Sequence, residues 1–268
     1  MGLDYKKLEE ANKRFDKESK EEIFKELPVE LIHFLNNEVA NHVLCKMKYS
    51  KSDHIPARVL NNWIKEEVVN IDAIDKGKIK RFNKIQCIWL DVVEEARKYG
   101  MYLEDLKRTH DEIMTSPIPN FSYLKLAVIN TILSEAQVME LSHSGSCNIR
   151  SEIKYRNKKT LPPHAASCIV FYLSLLIQKE FPKANFKLPI EIENYISDEE
   201  KMLLLFLLKT SSYKHMKIYL SEADVRLLED SETVIKNVDL YQAISSWKFK
   251  KIEIYLEDGT LTIIENNQ

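Results

Sequence analysis

Four segments of the chain carry apolar residues at the spacing of an amphipathic α-helix: residues 29–48, 56–68, 85–96 and 103–113. Residues 123–133 are apolar on most sides and predict a buried helix. In the third segment the apolar side chains recur at intervals of three and four and so share one helix face: Ile85, Ile88, Trp89, Val92, Val93 and Ala96. Asn83 is suited to cap the start of this helix, and Gly100 is suited to end it in a left-handed conformation.

Other segments predict extended structure. Residues 147–156 alternate between apolar and polar side chains, which is typical of a half-buried strand. Residues 138–141 are suited to pair with it across a turn at Ser144 and Gly145. A β-branched run and a turn in residues 69–81 predict a small hairpin.

The longest apolar run, residues 168–177, is interpreted as a helix buried on most sides. This helix is expected to start after Pro162-Pro163 and to end before Pro182. The run is too short to cross a bilayer, so no membrane partner is predicted.

The end of the chain contains an internal repeat. Residues 214–229 align without gaps on residues 250–265, at an offset of 36. Each copy predicts two strands around a turn, and each follows a helical segment, residues 203–208 and 240–244. We expect the two helix–hairpin units, 204–230 and 240–266, to join in one four-stranded sheet.

Composition supports a helix-rich protein with a substantial core. Hydrophobic residues make up 44% of the 268 residues, charged residues make up 30%, and only five residues are glycine. The predicted fold class is mostly α with a C-terminal α+β part. The formal net charge is −2, yet residues 46–84 contain ten Lys or Arg against five Asp or Glu. This local excess of positive charge favours a nucleic-acid partner for that segment.

The cysteines and the N-terminal residues suggest a cytoplasmic protein. Cys45, Cys87, Cys147 and Cys168 form no CxxC pair, which is typical of reduced thiols. Residues 1–25 are charged and lack the apolar core of a secretory signal.

Three motifs in the first half of the chain resemble one family of DNA-binding proteins. Residues 60–66, 80–82 and 97–106 read LNNWIKE, KRF and RKYGMYLEDL. In this order they resemble the MerR family of winged helix-turn-helix transcriptional regulators, over residues 55–114. Two features depart from the family pattern. Residues 29–48 lack the short first helix and the glycine turn that the family usually has. Glu67 stands where the family usually has glycine, so the turn into the wing is expected to be made differently.

The resemblance implies a helix that enters the major groove of DNA and a basic wing that contacts phosphates. Arg and Asn can contact guanine and adenine edges through two hydrogen bonds. The predicted DNA-binding residues on the helix are Arg58, Asn61, Asn62 and Lys65, and those on the wing are Lys76, Lys78, Lys80 and Arg81. Trp63, Phe82 and Trp89 are assigned to the core of the domain because their spacing points inward.

The resemblance also implies a domain order and partners. Residues 1–26 are interpreted as a polar leader or surface helix, and residues 27–116 as the winged-helix domain. Residues 120–268 would form an α+β effector or dimerisation domain. Pro117 and Pro119 mark the boundary and interrupt the long helix through which the family usually dimerises. The expected partners are double-stranded DNA, a second copy of the chain and an unknown small-molecule effector. The second copy is expected to bind through the second half, where the predicted four-stranded sheet is a candidate surface. The apolar space between residues 123–133 and 168–177 is the candidate effector site.

Other functions have less support in the sequence. A metal site is a minor candidate, because His143 and Cys147, like His164 and Cys168, are spaced as i and i+4. No cofactor and no enzymatic activity are predicted, since the sequence holds no Gly-rich phosphate loop, GxSxG or HExxH motif. The alternatives to a regulator are an excisionase-like or architectural DNA-binding protein and a winged-helix module that binds protein instead.

Overall fold

The computed structural model describes residues 28–51, 55–71, 80–114, 121–157 and 168–266. Several sequence predictions fall outside these ranges. They concern the leader at residues 1–26, the wing residues Lys76 and Lys78, the proposed boundary at Pro117 and Pro119, the helix start at Pro162-Pro163, and His164.

The first predicted helix is divided into three short pieces. Helix α1 spans Val29–Leu35, α2 spans Glu38–Asn41, and a π-helical turn spans His42–Lys46. The expected single helix over residues 29–48 is therefore wrong. Asn37 causes the break, because its side chain accepts hydrogen bonds from the backbone N–H groups of Val39 and Ala40 and so starts a new helix.

The next helices follow the sequence prediction closely. After strand β1 (Tyr49–Ser50) come α3 (Ala57–Lys65), strand β2 (Arg81–Phe82), α4 (Lys84–Lys98) and α5 (Leu103–Met114). Asn83 caps α4 and forms a reciprocal capping box with Gln86. Gly100, at φ +84°, ends α4 in the left-handed conformation, as predicted.

The middle of the chain forms a small three-stranded sheet between helices. Helix α6 (Tyr123–Leu133) is followed by β3 (Gln137–Ser142), β4 (Cys147–Ser151), helix α7 (Glu152–Arg156), β5 (Cys168–Tyr172) and helix α8 (Leu173–Glu180). The strand order is β4-β3-β5, and both pairings are antiparallel. The predicted pairing of residues 138–141 with the following strand is confirmed.

Two predictions in this region are wrong. The strand expected over residues 147–156 ends at Ser151, whose side chain accepts a hydrogen bond from Lys154 N–H and caps α7. The helix expected over residues 168–177 begins only at Leu173. Residues 168–172 pair with β3 instead, because their β-branched and aromatic side chains suit a sheet.

The C-terminal repeat forms one four-stranded antiparallel sheet, as predicted. A 3-10 turn (Tyr195–Ser197) and helix α9 (Glu199–Thr210) precede β6 (His215–Tyr219) and β7 (Val225–Leu228). Helices α10 (Glu232–Lys236) and α11 (Val238–Ser245) then lead to β8 (Lys251–Tyr255) and β9 (Leu261–Glu265). The strand order is β7-β6-β8-β9.

The two repeat units are related by an internal two-fold axis. Lys217 and Glu253 occupy the same position in the two copies, and they are directly opposite each other where β6 pairs with β8. The pairs on either side, His215 with Tyr255 and Tyr219 with Lys251, follow the same relation. The axis therefore passes through the centre of the sheet, between Lys217 and Glu253.

One hydrophobic core runs through both halves of the described chain. Helix α9 contacts α1 and α6, and α8 contacts both α4 and α6. A buried lysine adds a polar link between the halves. Lys125, which is 2% exposed, donates from Nζ to the carbonyl oxygen of Leu35 at 2.6 Å and to Oδ1 of Asn41 at 2.5 Å.

The fold is mixed α/β, 49% helical and 18% strand, and is compatible with an α+β class. The strands form several small antiparallel sheets, and one of them, β1 with β2, lies in the first half. Within the described ranges, no helix has both the length and the apolar character that a membrane span requires.

The turn between β3 and β4 is fixed to helix α5. Thr109 Oγ1 donates to the carbonyl oxygen of Gly145 at 2.7 Å, and the N–H of Cys147 donates to Glu112 Oε2 at 3.2 Å. Gly145 has φ +79°, and a Cβ atom built there would lie 2.4 Å from the backbone oxygen of Asp105. The contact therefore requires glycine at this position.

We expect Gly145→Ala to reduce the free energy of unfolding by about 2–4 kcal/mol, because the methyl group meets rigid backbone and the residue has positive φ. Urea denaturation measures the loss. Gly259→Ala is the matched control, since Gly259 has φ +87° but no atom lies within 4 Å of its built Cβ. The control should lose only about 1 kcal/mol, the cost of the left-handed backbone. Equal losses in the two variants would contradict the close contact.

Candidate nucleic-acid interface

Helix α3 is held in place by one face and exposes the other. It begins after Pro56, and its buried side chains Leu60 and Trp63 belong to the core. The remaining predicted core residues are confirmed as well, since Phe82 and Trp89 are buried. The four predicted DNA-binding residues of this helix are all exposed on its other side: Arg58, Asn61, Asn62 and Lys65.

Helix α3 ends at a glutamate whose backbone is in the left-handed conformation. Glu67 has φ +58°, and its N–H donates to the Ile64 carbonyl oxygen at 3.1 Å. The N–H of Val68 donates to the Trp63 carbonyl oxygen at 2.9 Å, which completes a Schellman motif around Glu67. The expectation that this turn would be made differently without glycine is therefore wrong. Glu67 adopts the conformation that glycine favours.

We expect Glu67→Gly to raise the melting temperature by a few degrees, because glycine has no steric penalty in the left-handed region. The ion pair of Glu67 with Lys107 is solvent-exposed, so its loss costs little. Thermal unfolding followed by circular dichroism measures the change. Glu67→Ala is the control, because it removes the ion pair but keeps the strained backbone. A melting temperature of Glu67→Gly at or below that of Glu67→Ala would refute this account.

A basic groove lies between α3 and the C-terminal end of α4. Its volume is about 980 Å³. It contains all four residues of α3 that the sequence predicts to bind DNA, together with two cations of α4. The lining residues are Ile55, Pro56, Arg58, Val59, Asn61, Asn62, Trp63, Lys65, Glu94, Arg97, Lys98 and Leu103. We call this surface the α3–α4 groove.

Arg97 and Lys98 are the groove residues that the sequence analysis did not predict. The Arg97 guanidinium donates to the carbonyl oxygen of Met101, which fixes it beside the turn at Gly100. Lys98 Nζ lies 2.8 Å from Glu95 Oε1 and 3.4 Å from Glu94 Oε1. The hydrogen bond to Glu95 raises the pKa of Lys98, so this side chain stays charged at neutral pH.

The balance of charge in the α3–α4 groove is positive. Among the described lining residues, four cations, Arg58, Lys65, Arg97 and Lys98, stand beside one carboxylate, Glu94, and Glu95 pairs with Lys98. The exposed amides of Asn61 and Asn62 add neutral hydrogen-bonding groups between the charges. Such a surface is suited to an anionic partner that also presents hydrogen-bond donors and acceptors.

The two wing residues that the structure describes, Lys80 and Arg81, are not among the residues that line this groove. Lys80 precedes β2, and Arg81 is exposed on that strand, which pairs with β1 upstream of α3. Phe82, opposite Tyr49, anchors the strand in the core. Lys76 and Lys78 lie outside the described residues. Of the six predicted DNA-binding residues within the described ranges, the structure brings together the four on α3.

The described residues do not support the minor metal-site candidate. They contain no group of three or more His, Cys, Asp or Glu side chains placed to hold a metal ion. Cys147 is opposite Leu141 of β3, whereas Cys168 is opposite the next residue, Ser142. The two thiols therefore point to opposite faces of the sheet. His143 is exposed in the turn, and its expected counterpart His164 lies outside the described ranges.

The proposed effector space is occupied by core side chains. Helices α6 and α8 contact each other directly, and both contribute fully buried residues to the interior. Leu124, Val128 and Ile132 of α6 and Leu173 and Ile177 of α8 are each 0% exposed. The structure therefore places packed side chains where the sequence suggested a small-molecule site.

Comparisons with known proteins assign no family to this chain. No protein-family profile, no curated protein sequence and no solved structure matches the chain significantly.

Proposed function

We propose that this chain is a sequence-specific DNA-binding transcriptional regulator of MerR-like type that binds DNA with the α3–α4 groove. The observation that carries the proposal is the grouping of Arg58, Asn61, Asn62 and Lys65 with Arg97 and Lys98. Residues from two helices thus form one positively charged surface around a helix whose opposite face is fixed in the core.

The dimensions and chemistry of α3 suit the major groove. An α-helix with its side chains is about 10–12 Å across, and the major groove of B-DNA is about 12 Å wide and admits such a helix. Arg58 can donate two hydrogen bonds to a guanine edge, and Asn61 or Asn62 can donate to and accept from adenine. Arg97 and Lys98 flank the helix as phosphate contacts that position it.

The proposal is tested by gel mobility shift of the purified chain on genomic DNA fragments that include its own promoter. We expect selective shifts whose affinity falls by at least about tenfold between about 50 mM and 200 mM salt, because bound cations release counterions from the phosphates. No shift at low salt would overturn the proposal and favour the winged-helix module that binds protein.

The same assay separates a regulator from an architectural DNA-binding protein. A regulator selects particular fragments and is expected to shift them whatever the position of the site within the fragment. An excisionase-like protein bends DNA, and its complexes migrate more slowly when the bend lies at the centre of a fragment. A circularly permuted set of one shifted fragment measures this difference. Strong position dependence would support the architectural alternative.

A further inference from the structure

The C-terminal four-stranded sheet has one buried and one exposed face. The buried face packs into the core with Met216, Ile218, Leu228, Ile252, Ile254 and Ile264. Large apolar side chains also occupy the exposed face on both edge strands: Val225 (44% exposed), Leu227 (55%), Leu261 (46%) and Ile263 (47%). Each edge strand therefore carries a pair of exposed apolar side chains, and the two pairs are separated by the polar outer faces of the central strands.

The exposed face repeats the internal two-fold symmetry of the sheet. Its central row reads Leu227, Lys217, Glu253 and Ile263 across the four strands. A second row carries Val225, Tyr219, Lys251 and Glu265. Apolar residues therefore stand at the ends of the central row, and one positive and one negative charge stand side by side at its centre.

We infer that this sheet face binds the same face of a second copy of the chain, about a two-fold axis that lies in the interface and runs along the strands. Rotation about that axis exchanges the two sides of the central row. Lys217 then faces Glu253 of the second copy, and Leu227 faces its Ile263. Tyr219 likewise faces Lys251 of the second copy. Opposite charges and apolar groups are thus matched along the central row, whereas in the second row Val225 faces Glu265 of the second copy at the edge of the interface.

The charge pattern selects this axis and this partner. An axis across the strands would place Lys217 against Lys217 and Glu253 against Glu253, which is repulsive. A purely apolar partner would desolvate both charges and add no ion pair in return. Glu253 already accepts hydrogen bonds from Lys251 at 2.7 Å and from Tyr255 at 3.3 Å. A carboxylate has about four acceptor sites, so a lysine of the second copy can be added.

The size of the face predicts a weak dimer. Four strands about 4.8 Å apart and five residues of about 3.3 Å each give a face of roughly 19 by 17 Å. That projected area, about 320 Å², is smaller than the roughly 800 Å² per partner of a standard interface. We therefore expect dissociation constants of about 1–100 µM in the absence of DNA.

Sedimentation velocity of the chain without DNA, at concentrations from about 1 µM to 1 mM, tests the inference. The wild type should change from monomer to dimer within this range. Lys217→Glu and Glu253→Lys should each weaken self-association by at least about tenfold, because like charges then meet across the interface. A wild type that stays monomeric throughout would overturn the inference.

An equimolar mixture of the two variants is the decisive arm. In a mixed dimer, position 217 of each variant faces position 253 of the other with opposite charge, so association should return to about the wild-type strength. Each variant keeps its own like-charged neighbours in the mixture, so recovery cannot come from repaired folding. Two variants that dimerise alone, or a mixture that stays monomeric, would contradict the proposed register.

A matched pair of leucine variants tests whether the dimer interface lies on the C-terminal sheet. Leu227→Asp should abolish dimerisation. Leu175→Asp should leave dimerisation unchanged, because Leu175 lies on α8 and is at least as exposed (66%, against 55% for Leu227). The inference goes beyond the proposed function and does not depend on it. The dimer is measured without DNA, and DNA binding by the α3–α4 groove is measured separately, so either can fail alone.

Discussion

Replacing Lys51 with methionine should destabilise the protein by about 3–5 kcal/mol, because it removes the cation that pairs with two buried carboxylates. Lys51 Nζ lies 2.5 Å from Glu180 Oε1 and 3.3 Å from Asp91 Oδ1. All three side chains are nearly buried, at 13%, 7% and 10% exposure. They join the segment after β1, the end of α8 and the middle of α4, so this cluster connects the two halves of the chain.

The protonation of Lys51 follows from the same contacts. Burial works against its charge, but the hydrogen bond to Glu180 and the charges of Glu180 and Asp91 outweigh burial and raise the pKa. A lysine whose pKa is raised on folding contributes stability below its unfolded pKa, and that contribution is lost only when the pH rises through its folded pKa. The stabilisation by Lys51 is therefore complete at neutral pH.

Urea denaturation at neutral pH measures the effect of Lys51→Met. Lys179→Met is the control, because Lys179 is exposed and adjacent to Glu180 in sequence. It should change stability by less than about 0.5 kcal/mol. Equal stability of the two variants would show that the cluster does not hold the halves together.

The double variant Arg58→Ala plus Lys65→Ala should bind DNA about 10–100-fold more weakly than the wild type, because it removes two of the four cations of the α3–α4 groove. The slope of log affinity against log salt should become shallower by about 2, one for each lost phosphate contact. Both side chains are exposed, so the fold should be unchanged.

Fluorescence anisotropy with a labelled duplex measures both effects. Lys187→Ala plus Lys236→Ala is the matched control, since it removes two exposed cations from the second half and changes the net charge equally. The control should keep the wild-type affinity and slope. If both double variants weaken binding to the same extent, the groove is not the DNA-binding surface and only net charge matters.

Local signals in the sequence predicted much of the fold. The cap at Asn83 and the glycine at Gly100 bound α4, and the gapless repeat predicted the four-stranded sheet. These features depend on neighbouring residues, so they can be recognised without knowledge of the tertiary structure.

The missed elements depend on distant parts of the chain. A short apolar run such as residues 168–172 suits a helix or a strand, and its pairing with β3, about 30 residues earlier, decides between them. The break at Asn37 has a local signal, a capping residue before a new turn, but the prediction of one helix over residues 29–48 rested on apolar spacing alone.

The candidate site was predicted only in part, because some of its residues come together only in the folded chain. The polar face of α3 follows from its periodicity, and its four predicted residues line one groove. Arg97 and Lys98 join them only because α4 ends beside α3 in the folded chain. Their signal in the sequence, two basic residues in the last turn of a helix, is also typical of ordinary helix ends.

Selection of binding sites from a randomised duplex library tests the central claim most directly. The account predicts that the wild type enriches a defined sequence motif, and that Asn61→Ala plus Asn62→Ala relaxes the preference at one or two base pairs while phosphate binding persists. Enrichment of no motif by the wild type, at salt concentrations where it still binds DNA, would contradict sequence-specific recognition by helix α3.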